Sequence, residues 1–401
     1  MSPGRARAAG VENTSAAGRV ASLYLHVPFC ERRCEYCDFV SLAGREREAA
    51  YVAALRGEIR ALAARFGPLE LHTVFVGGGT PSFVDPGRLA GVLDEVRAGF
   101  VLAPGAEVTL EANPSSTTEA RAAAWLEAGF NRVSIGIQSL QPDILAFLGR
   151  VHDRERAVAA VAEVRRAGFS RISCVLIYAV PGLDDARWRA TLDEVAALGT
   201  GHVSAYELTV EPGTPLHASV RRGERPAVDP EAALRHHAIA IRTLAGAGLD
   251  QYEVSNFARP GEECRHNLVY WRRGHYLAAG LGAHGHLPAA LAGAAGFAAP
   301  SEAASLRYWH GRSLPAYLAA CGDPSAGLPV AGWEAVGDAE AEAERVLLGL
   351  RLTEGLPVDA AWTARADPLV DAGLLWRRAG RIGTTARGQE VLDEVVRRLV
   401  A

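Results

Sequence analysis

The stretch HVPFCERRCEYCDF, residues 26–39, is the most informative part of this sequence for both fold and chemistry. It places Cys30, Cys34 and Cys37 on one short loop. Thiolates are the natural ligands of iron–sulfur clusters, and three of them hold three irons of a [4Fe–4S] cluster while the fourth stays open to another ligand. A zinc site is the alternative, completed by a neighbouring histidine or aspartate or by a distant cysteine. The spacing favours the cluster, because zinc sites usually pair two cysteine knuckles and this chain has no second pair.

Composition excludes several classes of protein. Of the 401 residues, 49% are hydrophobic and 22% charged, which supports a large buried core rather than disorder. The net charge of −4 gives no overall basic field for nucleic acid. No apolar run is long enough to span a membrane, and the first 20 residues contain no apolar stretch of a signal peptide. We therefore expect residues 1–20 to be a disordered tail and the protein to be cytoplasmic, with at most peripheral membrane contact.

Short β-rich runs alternate with helical segments between residues 21 and 258. The predicted strands are Leu23–Val27, Thr73–Val76, Glu107–Glu111, Arg132–Ile137, Arg171–Tyr178, His202–Leu208 and a short run at Gln251–Ser255. The predicted helices are Ala49–Phe66, Pro86–Ala98, Glu119–Ala128, Glu155–Ala167 and Asp184–Leu198. This alternation predicts an α/β fold with a mainly parallel sheet. With about six units instead of eight, it predicts a partial (β/α)6 TIM-like barrel.

Polar and glycine-rich residues follow the predicted strands where each one ends. Cys30 follows the first strand, Gly77–Pro81 the second, Glu111 the third and Gln138 the fourth. Because functional residues of parallel α/β folds collect at the carboxyl ends of the strands, we expect these side chains to share one site.

The alternation stops near residue 258. Residues 259–337 are predicted to be a connector, rich in His, Gly, Tyr and Trp at Arg259–His286 and a flexible loop at Leu287–Ala304. Residues 338–401 predict helices around a short hairpin, a winged-helix-like module. Because this segment is not basic, we expect it to dock within the chain rather than to bind DNA.

The cysteine loop at the end of a first barrel strand resembles that of radical S-adenosylmethionine (SAM) proteins. In that family the amine and carboxylate of SAM chelate the open iron, and the cluster supplies the electron that cleaves the cofactor. The resemblance implies that SAM binds the strand-two glycines and the carboxylate of the third strand. It further implies aromatic and polar contacts around cluster and adenine. The implied cofactor-binding residues are Tyr24, Tyr36, Gly78, Gly79, Thr80, Glu111, Gln138 and Arg150.

Longer strings resemble the oxygen-independent coproporphyrinogen III oxidase-like group from about Ser22 to the C-terminus. These include LYLHVPFC, SIGIQS, SAYELTVEPGTPL and YEVSNFARPGEECRHNLVYW. The true oxidases of this group carry a fourth cysteine where Phe39 stands. The motif HNxxYW, at His266, Asn267, Tyr270 and Trp271, is typical of the heme-chaperone branch. The resemblance therefore implies heme as a third ligand, bound by these four residues and delivered to an acceptor hemoprotein or respiratory enzyme.

Two departures from the family pattern bear on the choice between the chaperone and a second function. Relatives carry an aspartate that contacts the cofactor where Val175 stands, and Gly-Leu where Ala179 and Val180 stand. The alternative is a radical SAM enzyme, either a coproporphyrinogen III dehydrogenase or a related methyltransferase. Phe39 argues against the dehydrogenase, the intact HNxxYW motif against the methyltransferase, and Val175 against both.

Overall fold

The computed structural model describes residues 19–323 and 327–400. The strands are, in chain order, β1 (Val20–Val27), β2 (Phe29–Cys30), β3 (Leu42–Ala43), β4 (Glu70–Gly78), β5 (Val101–Ala112), β6 (Arg132–Gln138), β7 (Arg171–Tyr178), β8 (His202–Glu207), β9 (Asp250–Glu253), β10 (Asn256–Ala258), β11 (His275–Ala279), β12 (His284–Pro288), β13 (Ser305–His310), β14 (Val330–Val336), β15 (Leu356–Pro357), β16 (Leu375–Arg378) and β17 (Arg381–Thr384).

The helices follow most strands as covering elements. They are α1 (Glu48–Phe66), α2 (Pro86–Gly99), α3 (Glu119–Ala128), α4 (Pro142–Phe147), α5 (Arg154–Arg166), α6 (Asp185–Ala197), α7 (Pro215–Arg221), α8 (Pro230–Gly246), α9 (Arg265–Trp271), α10 (Ala292–Ala295), α11 (Leu314–Gly322), α12 (Asp338–Gly349), α13 (Ala360–Asp371), α14 (Ala386–Glu390) and α15 (Leu392–Val400).

The predicted partial barrel is confirmed. Strands β1, β4, β5, β6, β7 and β8 are neighbours in this order and run parallel. The helices between them cover the outer face, where Trp125 of α3 and Trp188 of α6 are fully buried. Gly129 ends α3 in the left-handed conformation, with φ of 101°. Because glycine has no Cβ, the chain turns toward β6 there without steric strain.

The segment predicted as a connector is part of the same sheet. Strand β11 pairs in parallel with β1, and β12, β13 and β14 continue antiparallel beyond it. On the opposite edge, the short predicted strand near residue 251 is the hairpin β9–β10, which pairs with β8. The sheet of the described residues thus has twelve strands, and β1 lies inside it rather than at its edge.

The low-complexity segment Leu287–Ala304 differs from the predicted flexible loop. It contains the end of β12, a 3-10 turn at Ala289–Leu291 and helix α10, in which Ala292 and Ala295 are buried. Phe297 stacks on Trp333 of β14 with 5.4 Å between ring centroids. The sequence did not predict this packed structure, because alanine and glycine pack closely without producing a strong hydrophobic pattern.

The C-terminal segment has a hydrophobic core of its own. It combines the antiparallel sheet β15-β17-β16 with α12 to α15, around Val346, Leu369, Ile382 and Leu399. Helix α12 begins at Asp338, the predicted start of the winged-helix-like module. At the other terminus, β1 already begins at Val20, and the rest of the predicted tail up to residue 18 lies outside the described residues. Within the described ranges, the helices are too short or too polar to cross a membrane.

Candidate functional site

A cavity of about 580 Å³ occupies the inside of the barrel. Successive residues of a strand point to opposite faces, so every second residue of β6 lines it: Arg132, Ser134, Gly136 and Gln138. The cysteine loop forms the rim of the cavity at the carboxyl ends of the strands. Helix α9 contributes Asn267 to the opposite end, which we call the floor.

Cys30, Cys34 and Cys37 are free thiols and all three line the rim. The loop that carries them is closed by the two-residue ladder between β2 and β3. Its end is fastened to the barrel by the His26 imidazole, whose Nε2 lies 2.8 Å from the carbonyl oxygen of Val40. The loop is therefore anchored at both ends while its sulfurs face the cavity.

Two hydrogen-bond donors face the sulfurs of the loop. Arg150 Nη1 donates to Cys34 Sγ at 3.2 Å, and Thr80 Oγ1 donates to Cys30 Sγ at 3.5 Å. Burial raises the pKa of the Cys30 thiol to about 11, against the opposing effect of the Thr80 hydroxyl. Bound iron would remove that proton outright. Among the described residues, no three His, Cys, Asp or Glu side chains converge on a single metal ion. A [4Fe–4S] cluster takes one thiolate per iron instead, and the residues present fit it.

The glycines after β4 let the backbone approach the cysteine loop. Gly78 has φ of +116°. A Cβ on Gly79 would lie 2.6 Å from the carbonyl oxygen of Pro28 and 3.0 Å from Cys30 Sγ. A side chain at either position is incompatible with the loop in this place, so the glycines are a steric requirement of the site.

Glu111 and Asn113 extend the site along the end of β5. Glu111 accepts a hydrogen bond from the Gly78 N–H at 2.9 Å, and burial raises the pKa of its carboxyl to about 7. Asn113 donates through Nδ2 to Thr80 Oγ1 at 3.0 Å and accepts from Arg150 Nη2 at 2.6 Å. Sequence reasoning missed Asn113, although its place two residues after Glu111 puts it on the same face of the chain.

Gln138 is held in a strained backbone conformation. Its φ is +66°, which non-glycine residues rarely adopt, and its buried Oε1 has no hydrogen-bond partner in the described part of the chain. Strain and an unpaired buried acceptor at the rim are typical of a position shaped for a ligand.

Seven of the eight residues expected to bind SAM line the cavity, and Tyr24 does not. The Tyr24 hydroxyl lies 3.0 Å from His26 Nδ1, and its ring stacks on Phe75. Tyr24 is in register with Phe75 on the neighbouring strand, so both point to the same face of the sheet, and Tyr24 packs beside Phe75 and His266. Val175, at the position of the relatives' aspartate, gives the wall an apolar surface, and Phe39 is 67% exposed at the rim.

The HNxxYW motif forms helix α9, which lies between the barrel and the C-terminal module. Glu107 of β5 accepts hydrogen bonds from the N–H groups of Arg265 and His266 at the start of this helix. Asn267 faces the cavity. Trp271 lies on the other side, with the Arg351 guanidinium 5.8 Å from its ring centroid.

His266 is fully buried and both of its ring nitrogens have partners. Nδ1 lies 2.7 Å from Thr73 Oγ1, which itself donates to Ser22, and Nε2 lies 2.8 Å from the Tyr270 hydroxyl. This network assigns the proton to Nδ1 and leaves the Nε2 lone pair accepting from Tyr270. Burial lowers the pKa of His266 to about 4, so the ring is neutral at pH 7.

The barrel and the three-cysteine rim define a radical SAM protein. Residues 24–195 match the model of the Radical SAM superfamily, which implies a [4Fe–4S] cluster and SAM. The fold is that of a structure described as coproporphyrinogen III oxidase (HemN) from Escherichia coli, a radical SAM enzyme. The TM-score is 0.78 at 21% sequence identity, over 97% of this chain and 92% of that one.

Sequence comparison gives the particular family. The heme chaperone HemW of Mycobacterium tuberculosis is 42% identical over 96% of this chain and 95% of its own. The heme chaperone HemW of Escherichia coli is 38% identical over 66% of this chain and 69% of its own. The chain belongs to the HemW family.

Proposed function

We propose that this protein is a heme chaperone, which binds heme together with a [4Fe–4S] cluster and SAM and delivers the heme to an acceptor hemoprotein. The observation that carries this proposal is the 42% identity to the HemW heme chaperone of Mycobacterium tuberculosis along almost the whole of both chains. A match of this extent includes the α9 motif and the C-terminal module as well as the barrel.

Cys30, Cys34 and Cys37 hold the cluster in this proposal, and the cluster supplies one-electron chemistry when bound. The chain itself contributes the cradle. The Gly78–Thr80 backbone and Glu111 receive the methionine end of SAM, while Tyr36, Gln138 and Arg150 surround the remainder. The support is that these groups all line one rim and that Gln138 Oε1 and Arg150 Nε are buried without partners there.

Heme binds in this proposal through the α9 motif, with His266 as the ligand of its iron. A neutral imidazole with a lone pair on Nε2 is the form that binds iron. That lone pair accepts from Tyr270 in the present conformation, so ligation requires the Tyr270 side chain to move away. Asn267 and the apolar wall of the cavity face the ligand, and Trp271 holds α9 against the C-terminal module.

A radical SAM enzyme is the second candidate, and the intact cysteine rim with its glycine cradle favours it. Phe39 and Val175 oppose it, because neither supplies the polar group that the corresponding enzymes use at those positions.

The decisive experiment is an anaerobic assay of the reconstituted full chain with three readouts: heme binding and transfer to an apo-hemoprotein, conversion of coproporphyrinogen, and release of 5′-deoxyadenosine. Stoichiometric heme uptake and transfer without conversion is the expected result. Conversion with deoxyadenosine release would replace the chaperone by the enzyme.

Variants separate the two metal sites. Cys30→Ala is expected to lose iron, whereas Cys174→Ala, which removes a buried thiol of β7 that does not line the cavity, retains it. His266→Leu is expected to lower heme affinity at least about tenfold, and Tyr270→Phe, which frees Nε2, to maintain or increase it. Unchanged heme titration in His266→Leu would contradict ligation by His266.

A further inference from the structure

The floor of the cavity carries a buried guanidinium that the proposed cofactor site does not use. Arg132 is the first residue of β6, and Gln138 at the rim is the last. At about 3.3 Å per residue, the two positions are about 20 Å apart along the strand. Arg132 is only 2% exposed, lines the cavity, and lies beside α9 at the level of Cys264 and Asn267.

Arg132 has an unused donor. Its buried Nη2 has no hydrogen-bond partner in residues 19–323 and 327–400. A buried cationic donor without a partner is costly, so its presence calls for an explanation. Arg132 keeps its positive charge. Burial lowers the pKa of the guanidinium, but Cys264 and Glu107 outweigh burial, so the pKa is raised.

The carboxylate of the neighbouring Glu107 already has hydrogen-bond and ion-pair partners on both oxygens. Glu107 is fully buried, accepts the N–H groups of Arg265 and His266 at 3.2 and 3.0 Å, and forms an ion pair with Arg171 at 3.1 Å. Its two oxygens are thus committed to holding α9 and β7 together. The nearest carboxylate therefore leaves the Arg132 Nη2 donor unmatched.

The neighbouring histidine has no free acceptor either. His202 Nδ1 lies 2.7 Å from Ser173 Oγ, and Nε2 lies 2.9 Å from the Tyr252 hydroxyl. Burial together with the positive charges of Arg132 and Arg171 lowers the pKa of His202 well below its usual value. The floor thus holds a guanidinium N–H donor without a partner in a cavity whose walls include Phe75, Val175 and Ile177.

We propose that Arg132 binds a carboxylate of the cavity ligand at the floor of the barrel, through the charge-assisted hydrogen bonds that a guanidinium forms with a carboxylate. Resting on the proposed function, this carboxylate is a propionate of heme. The apolar walls then cover the macrocycle. Arg132 thereby sets the orientation in which the tetrapyrrole enters the barrel.

SAM also carries a carboxylate, and the experiment must separate the two sources. Within the proposed SAM cradle, Gln138 is about 20 Å from Arg132 along β6, whereas Glu111 is in register with Ser134, only two residues above Arg132. No hydrogen bond joins Arg132 to Glu111 or to the glycines of the cradle among the described residues, so we expect Arg132→Gln to leave the affinity for SAM unchanged. A loss of SAM affinity with unchanged porphyrin affinity would overturn the assignment to the porphyrin.

The test compares a porphyrin dicarboxylate with its ester on the full chain. Binding of metal-free protoporphyrin IX and of its dimethyl ester is followed by fluorescence titration, because a metal-free ring removes any contribution from iron ligation. The wild type is expected to bind the free acid about tenfold or more tightly than the ester, because one charged hydrogen bond contributes an affinity difference of that size. This comparison needs no variant and so does not depend on the folding of one.

Arg132→Gln should abolish the preference by weakening only the free acid. Arg171→Gln is the matched control, because it removes a nearby arginine that pairs with Glu107 and does not line the cavity. It should retain the preference. Iron content and thermal unfolding of both variants check that the barrel is intact.

The outcomes separate this inference from the proposed function. If the protein binds and transfers heme but shows no preference for free protoporphyrin IX over its ester, the role of Arg132 is refuted and the proposed chaperone function is not. An Arg132-dependent preference without heme transfer would support the anion site and refute the chaperone. Absence of porphyrin binding of either kind would overturn both.

Discussion

Glu111 is the residue whose environment has the most direct chemical consequence. It is buried at the rim, and burial raises the pKa of its carboxyl to about 7. If it receives the ammonium group of SAM as proposed, it must be ionised to do so. The ionised fraction falls as the pH falls through 7, so the affinity for SAM should fall in the same range.

We expect the dissociation constant of SAM, measured by calorimetry on the cluster-loaded protein, to increase about tenfold per pH unit below 7 and to level off above it. Glu111→Gln should bind SAM weakly and without this pH dependence, while the surface variant Glu119→Gln should behave as wild type. A flat profile in the wild type would show that Glu111 does not bind the ammonium group.

Single residues also mark the limit of prediction from sequence. The spacing of Cys30, Cys34 and Cys37 was enough to predict a cluster site, because the three cysteines are close together along the chain. Asn113 and Arg132 could not be identified in this way, since their roles depend on which residues of β5 and β6 face inward. Tyr24, expected in the cofactor site, is on the same face of the sheet as Phe75 but packs against Phe75 and His266 instead of lining the cavity.

Among the elements, the end of β4 constrains the cysteine loop through its glycines. Gly79→Ala would place a methyl group 2.6 Å from the Pro28 carbonyl oxygen, and we expect the loop to shift and the iron content of the reconstituted protein to fall by about half or more. Gly91→Ala in α2 is the control. A Cβ there would make only an ordinary van der Waals contact with the Arg56 guanidinium at 3.5 Å, so this variant should keep iron and gain stability. Full iron content in Gly79→Ala would contradict the steric requirement.

A buried ion pair joins α1, β13 and α11 behind the rim. Glu58 accepts from Tyr317 at 2.6 Å and from the Gly280 N–H at 2.9 Å, and pairs with His310, whose Nδ1 lies 3.0 Å from the Ala283 carbonyl oxygen. Both ring nitrogens of His310 thus face acceptors, which favours the imidazolium. Burial lowers the pKa of His310, but Glu58 outweighs burial and raises it.

This pair should make stability fall with alkaline pH. A raised pKa in the folded state contributes stability that is complete below the unfolded value of about 6.5 and is lost as the pH rises through the folded pKa. His310→Gln should cost about 3 kcal/mol of unfolding free energy below pH 6.5 and remove this dependence. Denaturant unfolding across pH 6 to 10 measures it. The same slope in wild type and variant would assign it to other groups.

At the scale of elements, the prediction worked for units that repeat locally and failed where partners are distant. The six parallel strands and their helices follow from periodicity alone. Strand β11 pairs with β1, about 250 residues away in sequence, and β12 to β14 extend the sheet from β11; no local pattern reveals that pairing. The alanine-rich segment around α10 gave too weak a pattern to separate packed structure from a loop.

For the whole molecule, charge holds the C-terminal module against the sheet. Glu344 of α12 pairs with Arg273 at 2.8 Å and also with Arg307 of β13, while Arg272 pairs with Glu354 at 3.2 Å. These side chains come from both sides of the junction next to α9. The position of α9 is therefore coupled to the docking of the module.

Glu344→Gln should loosen this docking and increase hydrogen exchange in α9, measured by mass spectrometry. Glu342→Gln, which removes an ion pair internal to α12 with Arg345, is the control and should leave α9 protected. Equal exchange in both variants would mean that apolar packing alone holds the module.

The internal place of β1 limits how the chain can be shortened. A protein cut after residue 258 would keep all six parallel strands and the three cysteines of the rim, yet it would lose β11 and leave one side of β1 unpaired. Unpaired backbone groups on a hydrophobic strand promote edge-to-edge association between copies of the protein, and three nearby thiols can then form disulfide cross-links. The minimal soluble unit for biochemical work therefore extends through β14, well beyond the last strand of the barrel.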